Sequence, residues 1–490
     1  MSEFKIAPVL PRVSGNYPLS TPSEQATSTS GVGTPSSIYN KMMARWELIL
    51  HLLGGTLAMR EAKTTYLPQE EGEEADLYTA RLARTILYGM YSRTIKSLSS
   101  IPFIDPIIVT DVPSELEYLK TVATDEQLSL AELAQDLLED ALNHGVAHYL
   151  VDHPEVEAGL NLQEERDLDL KPFFARISPV NLIGWVVGDD GLLDEVRIYE
   201  YATETQTDYT EVNTHKVRVI TRDSHVVWTL QEGTDKKAEW VASESKPNKL
   251  GYVGLVTIYG NKSGDRLTGS PVLEELAWIN LKHYQKQSDV DNIEHVANTP
   301  VLFAAGFPED DLEGVVVGSH SLISTTSEGA TLKYVEHTGA AIDASHKSIK
   351  TLEERGHQMG AEFLTASAGS RQTAYAKSVD TGKSLSILQA ITNNLSRGLE
   401  KGYTIAADWL KLSADKVGAT GVKVGEGIDL SLDSNDLQQL RDLAKDGYLD
   451  TTDLQYELQR RGKISDSTLL KEPKVVKPKV EENKGELNAD

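Results

Sequence analysis

The strongest constraint on this chain comes from residues 270–306, SPVLEELAWINLKHYQKQSDVDNIEHVANTPVLFAAG, which predict a long helix followed by a short apolar strand. Ser270 is a candidate N-cap, and Pro271 stands at the first helical position. The first half of the helix has an apolar stripe, but only two residues between 285 and 294 are apolar. At about 1.5 Å per residue, a helix over 271–297 extends roughly 40 Å. We therefore expect it to project and to need partners for its polar half.

A second helix and a β-rich segment complete this unit. Residues 344–366 predict a helix with a narrow apolar seam, and this helix also carries Gly356 and Gly360. Between the two helices, residues 299–340 hold short apolar runs divided by glycines and acidic turns, which is typical of short strands. Two long helices thus bracket a small β-rich module.

The chain before this unit predicts a mixture of helices and strands. Residues 1–36 are rich in Ser, Thr, Pro and Gly without a period, so we expect a flexible arm. Helical patterns follow over 39–55, ending at a glycine pair, then over 75–103 as one long amphipathic helix, and over 128–146. Short alternating runs dominate residues 173–259 and predict strands. The fold class is therefore α+β.

The chain after this unit is mainly helical. Residues 367–381 read as a loop of small residues that leads into a third long helix, in which Gly398 and Gly402 are the expected kink points. Residues 421–432 predict a returning strand. Two short helices follow, and the charged tail from residue 466 is expected to be disordered.

Composition excludes several classes of protein. The 490 residues (53.8 kDa) include no Cys, so a disulfide scaffold, a thiolate zinc site and a cysteine nucleophile are ruled out. With 48 basic and 74 acidic residues the net charge is −26, which opposes tight non-specific binding to nucleic acid. No apolar run is long enough to cross a membrane. We expect a soluble protein that stays inside a cell or a particle.

Candidate cofactor and metal motifs are weak. The segment TGKS at 381–384 lacks the glycine that a P-loop has five residues earlier, where Lys377 stands. His144, His148 and His153 straddle a predicted helix end and strand, so chance proximity is favoured over a metal site. No cofactor, metal or catalytic residue is assigned.

The polar half of the first long helix carries a run of acidic side chains. Charge runs on helices usually serve solvation or pairing, so we favour a solvated or intersubunit face over a metal site. The residues of this run are Asp289, Asp291, Glu294 and His295.

Short motifs in a fixed order between residues 40 and 412 point to a family. They are YLP (66–68), Tyr78 with Arg81, GVAHYLVDHP (145–154), KPFFARISPVNLIGW (171–185), SPVLEELAWINLKHYQKQSD (270–289), TPVLFAAG (299–306), GATLKYVEHTGAAI (329–342) and LEERGHQMGAEFL (352–364). In this order and spacing the chain resembles the portal proteins of tailed bacteriophages, of the DUF4055 type.

This resemblance implies a phage portal fold assembled as a ring, with twelve subunits in the virion and thirteen as the open alternative. Each part of the chain then has an expected place. The parts are a flexible arm (1–36), the wing (37–265), stem helix 1 (266–298), the clip (299–340), stem helix 2 (341–366), the tunnel loop (367–381), a kinked helix with a wing return strand (382–432), the crown (433–465) and a disordered tail (466–490).

The resemblance also implies a function and partners. A portal is not an enzyme: it forms the channel at one capsid vertex through which double-stranded DNA is packaged and later ejected. Expected partners are copies of the chain itself, double-stranded DNA, the terminase large subunit, the head-to-tail connector, and the major capsid and scaffolding proteins, but no membrane. The expected location is the portal vertex of the virion, after assembly in the host cytoplasm.

Particular residues acquire expected roles from this resemblance, although ordinary surface charge explains the cations equally well. The residues expected to face DNA in the tunnel loop and channel are Arg371, Gln372, Lys377 and Lys383. The stem cations are Lys282, Lys286, Lys347, Lys350 and Arg355. Gly356 and Gly360 are expected at the contact between subunits, where small residues let helix backbones approach closely.

Two other functions remain open at this point. A metal-dependent DNA-processing enzyme could use Asp289, Asp291 and Glu294 with Mg²⁺. Another virion component, such as a connector or a coat protein, would also suit an acidic chain that assembles.

Overall fold

The computed structural model describes residues 31–154, 170–205, 209–232, 238–297, 301–306, 329–335, 340–361, 374–413, 418 and 420–425. Its helices are α1 (Ser37–Glu61), α2 (Ala75–Arg84), α3 (Met90–Ser100), α4 (Leu130–His144), α5 (Glu274–Ala297), α6 (Ala340–Ala361) and α7 (Ala374–Trp409). Its strands are β1 (Ile108–Thr110), β2 (Val146–Asp152), β3 (Phe173–Ile177), β4 (Leu182–Val187), β5 (Leu193–Thr205), β6 (Glu211–Thr221), β7 (Ser224–Glu232), β8 (Ala238–Ala242), β9 (Lys246–Pro247), β10 (Leu255–Tyr259), β11 (Val301–Ala305), β12 (Thr331–Val335) and β13 (Gly421–Lys423).

The main core lies between helices and an antiparallel sheet of order β10-β2-β3. The central strand β2 is buried along nearly its whole length, as its mainly apolar sequence predicts for a strand covered on both faces. Helix α4 begins with a capping box formed by Ser129 and Glu132 and ends at Gly145 in the left-handed conformation (φ 78°). This tight exit leads directly into β2.

Helix α7 packs on the same sheet and runs unbroken from Ala374 to Trp409. The helix is not interrupted at Gly398 or Gly402, where kinks were expected. A Cβ at Gly398 would lie 2.6 Å from Ile258, and one at Gly402 would lie 2.2 Å from the Tyr149 hydroxyl. The two glycines therefore let the helix approach the sheet closely rather than bend.

A second sheet of order β4-β5-β6-β7-β8, with β9 paired to β7, accounts for the predicted β region. The turn at 188–191 closes the β4–β5 hairpin, since Gly191 N donates to Gly188 O. Residues 31–36 lie on this sheet: Arg197 donates to Val32 O at 3.0 Å and to Thr34 O at 2.8 Å. The expected flexible arm of 1–36 is therefore too long by these six residues, and 1–30 lie outside the described residues.

In the first block one helix prediction is confirmed and one needs correction. Helix α1 is interrupted at its glycine pair as predicted, because Gly55 has a non-helical backbone (φ 75°), and helical residues then resume as far as Glu61. The single helix expected over 75–103 is two helices, α2 and α3, separated by an extended Thr85 and a short linker. The apolar period continues through the linker, but tertiary hydrogen bonds satisfy its backbone, with Arg60 Nε donating to Thr85 O at 3.0 Å.

The returning strand is present as β13, which pairs antiparallel with β1. The expected clip is described only as the antiparallel pair β11–β12, with Val301 opposite Val335 and Ala305 opposite Thr331. Residues 307–328 of the clip, the crown (433–465) and the tail (466–490) lie outside the described residues.

Candidate functional site

Helices α5 and α6 form an antiparallel hairpin. Along the chain the C-terminus of α5 leads to β11, and β12 leads to the N-terminus of α6. Helix α5 begins at Glu274, one turn later than the predicted start at Pro271. The residues before it are tied to other elements: Val272 N donates to Leu142 O at 3.0 Å. Ser270 is not an N-cap, because it accepts a hydrogen bond from Arg45 at 2.5 Å and its backbone N–H donates to Asn261 O. These bonds fix the root of α5 against the end of α4.

The first half of α5 belongs to the main core. Leu276, Ala277 and Tyr284 are almost fully buried there. Asn280, also fully buried, accepts a hydrogen bond from Tyr91 N at 2.9 Å and donates to Tyr88 O at 2.8 Å. Its side chain thus satisfies backbone groups at the start of α3, where a helix leaves N–H groups unpaired.

The polar half of α5 is held by a buried arginine on α2. Arg81 is 3% exposed and makes two 2.8 Å hydrogen bonds to the Glu73 carboxylate, which is itself 10% exposed. The same guanidinium donates to Pro68 O at 2.8 Å and to Ser288 of α5 at 3.4 Å. Hydrogen bonding to Arg81 lowers the pKa of Glu73. Arg81 therefore joins α2, the 68–73 loop and α5 at one point.

The two helices of the hairpin meet through polar contacts. His283 lies 3.3 Å from Glu353, and His346 lies 2.6 Å from Glu294, in each case between a ring nitrogen and a carboxylate oxygen. Lys286 donates to Ser348. The acidic run predicted on α5 is thus used largely within the chain, and Asp291 accepts a 2.7 Å hydrogen bond from Gln287 on its own helix.

Gly356 was expected to contact a neighbouring subunit, but it contacts another helix of the same chain. A Cβ on Gly356 would lie 1.9 Å from Met90 Sδ, so the glycine lets α6 pack against α3. This corrects the expected intersubunit role of Gly356, while that of Gly360 stays a prediction. Burial of Val290 (3% exposed) likewise shows that part of the polar half of α5 finds its core within the chain.

The stem cations differ in exposure. Lys286 is half-buried, whereas the other four are exposed: Lys282, Lys347, Lys350 and Arg355. Among the described residues, no ion pair involves Lys347, Lys350 or Arg355.

The residues expected to face DNA are only partly described. Arg371 and Gln372 lie outside the described residues. Lys377 and Lys383 lie within α7, so residues 374–381 are helical and not part of the expected loop over 367–381, and the third long helix begins earlier than the expected residue 382. The run of small residues is compatible with a helix, since alanine is the strongest helix former.

The three histidines considered as a metal cluster have separate environments. His144 packs edge-on against Trp46, and His153 stacks on Trp409. His148 is buried in β2 within 3.0 Å of the Thr257 hydroxyl, and burial lowers its pKa to about 3. In the part of the chain that is described, no cluster of His, Asp or Glu side chains is arranged to hold a metal ion. The described helices also include none with the length and apolarity needed to cross a bilayer.

Buried ion pairs are the feature that sequence patterns missed. Arg218 and Glu200, both about 3% exposed, pair at 2.8 Å across β6 and β5, and Arg218 also reaches Asp152 at 3.0 Å. The alternation of charged and apolar residues along β5 and β6 did not predict that these two charged side chains are buried. The contact of Arg218 with Asp152 links the second sheet to the end of β2.

Comparison with known proteins gives one family match. Residues 272–410, from just before α5 through α7, match the family DUF4055, described as a domain of unknown function. This confirms the DUF4055 resemblance for that part of the chain. No significant match to a curated protein was found.

Solved structures with a similar backbone come from gene transfer agent (GTA) particles. One is from the neck of the empty GTA particle computed with C6 symmetry (TM-score 0.46, 12% identity, 91% of this chain and 99% of that chain). A second is from the neck of the native GTA particle computed with C12 symmetry (TM-score 0.43, 13% identity, 75% of this chain and 89% of that chain). A third is from the virion of the native particle (TM-score 0.41, 11% identity, 86% of this chain and 93% of that chain). TM-scores below 0.5 do not establish a shared fold, whereas the family match places the α5–α6 hairpin within a DUF4055 region.

Proposed function

We propose that this chain is the portal subunit of a tailed phage or phage-like particle. Copies of it form a ring at one capsid vertex, and double-stranded DNA passes through the ring during packaging and ejection. The terminase docks on the clip during packaging, and the head-to-tail connector binds there afterwards. The protein acts as a channel and a docking platform, with no catalytic step of its own.

The observation that carries this proposal is the α5–α6 hairpin, which is rooted in the main core and bears β11–β12 at its other end. Helix α5 has 24 residues and is about 36 Å long, comparable to the diameter of a small domain. A hairpin of this length with exposed charged stripes is suited to stand beside copies of itself around an axis. The DUF4055 match over residues 272–410, which agrees with the sequence resemblance, supports the proposal as well.

The charge of the chain suits a channel wall. With a net charge of −26, each subunit repels the phosphate backbone, so DNA can slide without tight binding. Arg371, Lys377 and Lys383 are proposed as the cations nearest the DNA, because they lie between α6 and the part of α7 that packs on the sheet. Together they would give a few weak phosphate contacts in an otherwise repulsive channel.

Imaging of the purified full-length protein tests the assembly. Negative-stain images and mass measurement should give closed rings of twelve or thirteen subunits with a central hole. Shells would indicate a coat protein instead. Small oligomers with Mg²⁺-dependent DNA cleavage that is lost in Asp291→Asn would indicate an enzyme.

The channel assignment has a separate test. Replacing Arg371, Lys377 and Lys383 by Ala should lower DNA packaging or genome retention while the rings still form. Unchanged packaging in a triple variant that forms normal rings would refute the placement of these cations.

A further inference from the structure

Two exposed stripes run along the hairpin, one on each helix. The α5 stripe consists of Glu275, Trp278, Lys282, Asp289 and Ile293, which recur at intervals of three, four or seven residues and share one helix face. The α6 stripe consists of Asp343, Lys347, Lys350 and Glu354, with the same kind of spacing. Both stripes point away from the contact between the two helices, which uses His283, Lys286 and Glu294 on α5.

The α5 stripe has features of a contact surface. Trp278 is 57% exposed and Ile293 is 43% exposed, so large apolar side chains stand near both ends of the stripe. Between them lie one cation, Lys282, and one anion, Asp289. Asp289 is 4.0 Å from Arg81, and partial burial, with Glu70 and Glu73 nearby, still raises the pKa of its carboxyl above the usual value despite Arg81 and Lys282. A cation from outside would stabilise the Asp289 carboxylate.

The contacts within the hairpin fix which residues of the two stripes lie at the same level. The pairs 283 with 353, 286 with 348, and 294 with 346 run antiparallel. The mean offset of these three pairs places Lys282 level with residue 355, about one helical rise (about 1.5 Å) from Glu354. Asp289 is level with residue 348, within a similar distance of Lys347. Lys282 and Asp289 thus each have an opposite charge at their own level on the α6 stripe.

We infer that the α5 stripe of one copy binds the α6 stripe of the next copy, with Lys282 against Glu354 and Asp289 against Lys347. The inference rests on the proposed ring, because a rotation about an axis along the helices leaves each residue at its own level. The occupant of each stripe is therefore a second copy of this chain. Opposite charges at matched levels also fix the register of the contact, since a slide by one helical turn would remove both pairs.

One other arrangement would satisfy the α5 stripe. Two copies of α5 packed antiparallel about a two-fold axis would place Lys282 against Asp289, and Trp278 against Ile293. That contact leaves Lys347 and Glu354 of the α6 stripe without partners. It also closes as a dimer and cannot build a ring.

A charge exchange in the full-length protein distinguishes the two arrangements. Lys282→Glu should weaken association about tenfold in 0.1 M salt, because an attractive exposed pair becomes repulsive, and the effect should shrink in 1 M salt. Adding Glu354→Lys should restore association. Arg355→Glu is the matched control, since it makes the same change of charge on a neighbouring face of α6, and it should associate like the wild type. Sedimentation velocity measures association, and circular dichroism verifies that each variant is folded.

The absence of Cys from this chain allows a second measurement. The double variant Lys282→Cys with Glu354→Cys should give a ladder of disulfide-linked multimers after mild oxidation, because every subunit then carries both halves of the contact. The pair Lys282→Cys with Asp289→Cys should give little crosslinking beyond the background of each single variant.

The outcomes separate this inference from the proposed function. Rescue of Lys282→Glu by Glu354→Lys, together with the ladder, supports the contact. Rescue by Asp289→Lys alone, or wild-type association of Lys282→Glu, overturns it even if imaging shows closed rings, in which case the portal proposal stands. If the wild type forms no closed rings, the portal proposal fails, and the exchange still decides whether these stripes meet in the oligomer that does form.

Discussion

Replacement of Arg81 by Met should destabilise the chain by about 3 kcal/mol at pH 7. Arg81 and Glu73 are 3% and 10% exposed and are joined by two 2.8 Å hydrogen bonds. Removing one partner of a buried pair leaves the other charge desolvated, which costs about 3–5 kcal/mol. We take the lower end because Glu73 lies at the edge of the buried region. The free energy of unfolding from urea titration of the full-length protein measures this change.

Arg84 on the same helix provides the matched control. Its guanidinium makes an exposed 3.2 Å hydrogen bond to Asn292 of α5, so Arg84→Met should cost less than about 0.5 kcal/mol. In the Arg81→Met background, Glu73→Gln should recover part of the loss, because the desolvated charge is then absent. An Arg81→Met variant within 1 kcal/mol of the wild type would refute the view that this pair anchors α5.

The Arg81–Glu73 pair also has a pH dependence of predictable sign. Hydrogen bonding to Arg81 lowers the pKa of Glu73 in the folded protein below its usual 4.5. The stability that the pair contributes is therefore present above about pH 4.5 and is lost as the pH falls through the lower, folded-state pKa. In Arg81→Met the burial of Glu73 without a cation should raise its pKa instead. The difference in unfolding free energy between the two proteins should accordingly narrow as the pH falls from 7 to 4.

Two further perturbations test other parts of the fold. Gly145→Ala should lower the free energy of unfolding by more than 3 kcal/mol, because a Cβ at this left-handed position would lie 2.2 Å from Ser270 O. Gly191→Ala is the control: Gly191 has a similar φ of 75° but open space around it, so the loss should be about 1 kcal/mol. Equal urea midpoints for the two variants would contradict the close approach at Gly145. Burial lowers the pKa of His148 to about 3 in the folded protein, below its unfolded value of about 6.5. The free energy of unfolding of the protein should therefore fall by about 1.4 kcal/mol per pH unit as the pH drops below about 6.5. His148→Gln should remove this contribution, so the variant's loss of stability relative to the wild type should shrink by about 2 kcal/mol between pH 7 and pH 5. Parallel pH profiles of the two proteins would contradict a pKa of His148 that is lowered by folding.

Local sequence patterns correctly predicted the helices and strands in which the periodic apolar residues are the ones that pack in the core. The alternating runs over 173–259 became β3 to β8 and β10, and the helix predicted over 128–146 is present as α4. The split between α2 and α3 was not predictable, because the apolar residues keep a helical period through the linker. What ends α2 is Thr85, whose hydroxyl bonds to Arg81 O and to Ser288, and Ser288 is 203 residues away in sequence.

The packing partners of the polar half of α5 could not be predicted from the sequence. A run of polar residues on a long helix indicates that its core is missing from the local sequence, and neighbouring subunits were the expected source. The structure instead supplies much of it from α2 and α6, through Arg81 on Ser288 and through the His346–Glu294 pair. A polar helix can therefore be buried by its own chain wherever a buried cation or amide satisfies it. What remains for a second copy is the narrower stripe from Glu275 to Ile293, and its exposed charges are few enough for a single charge exchange to test.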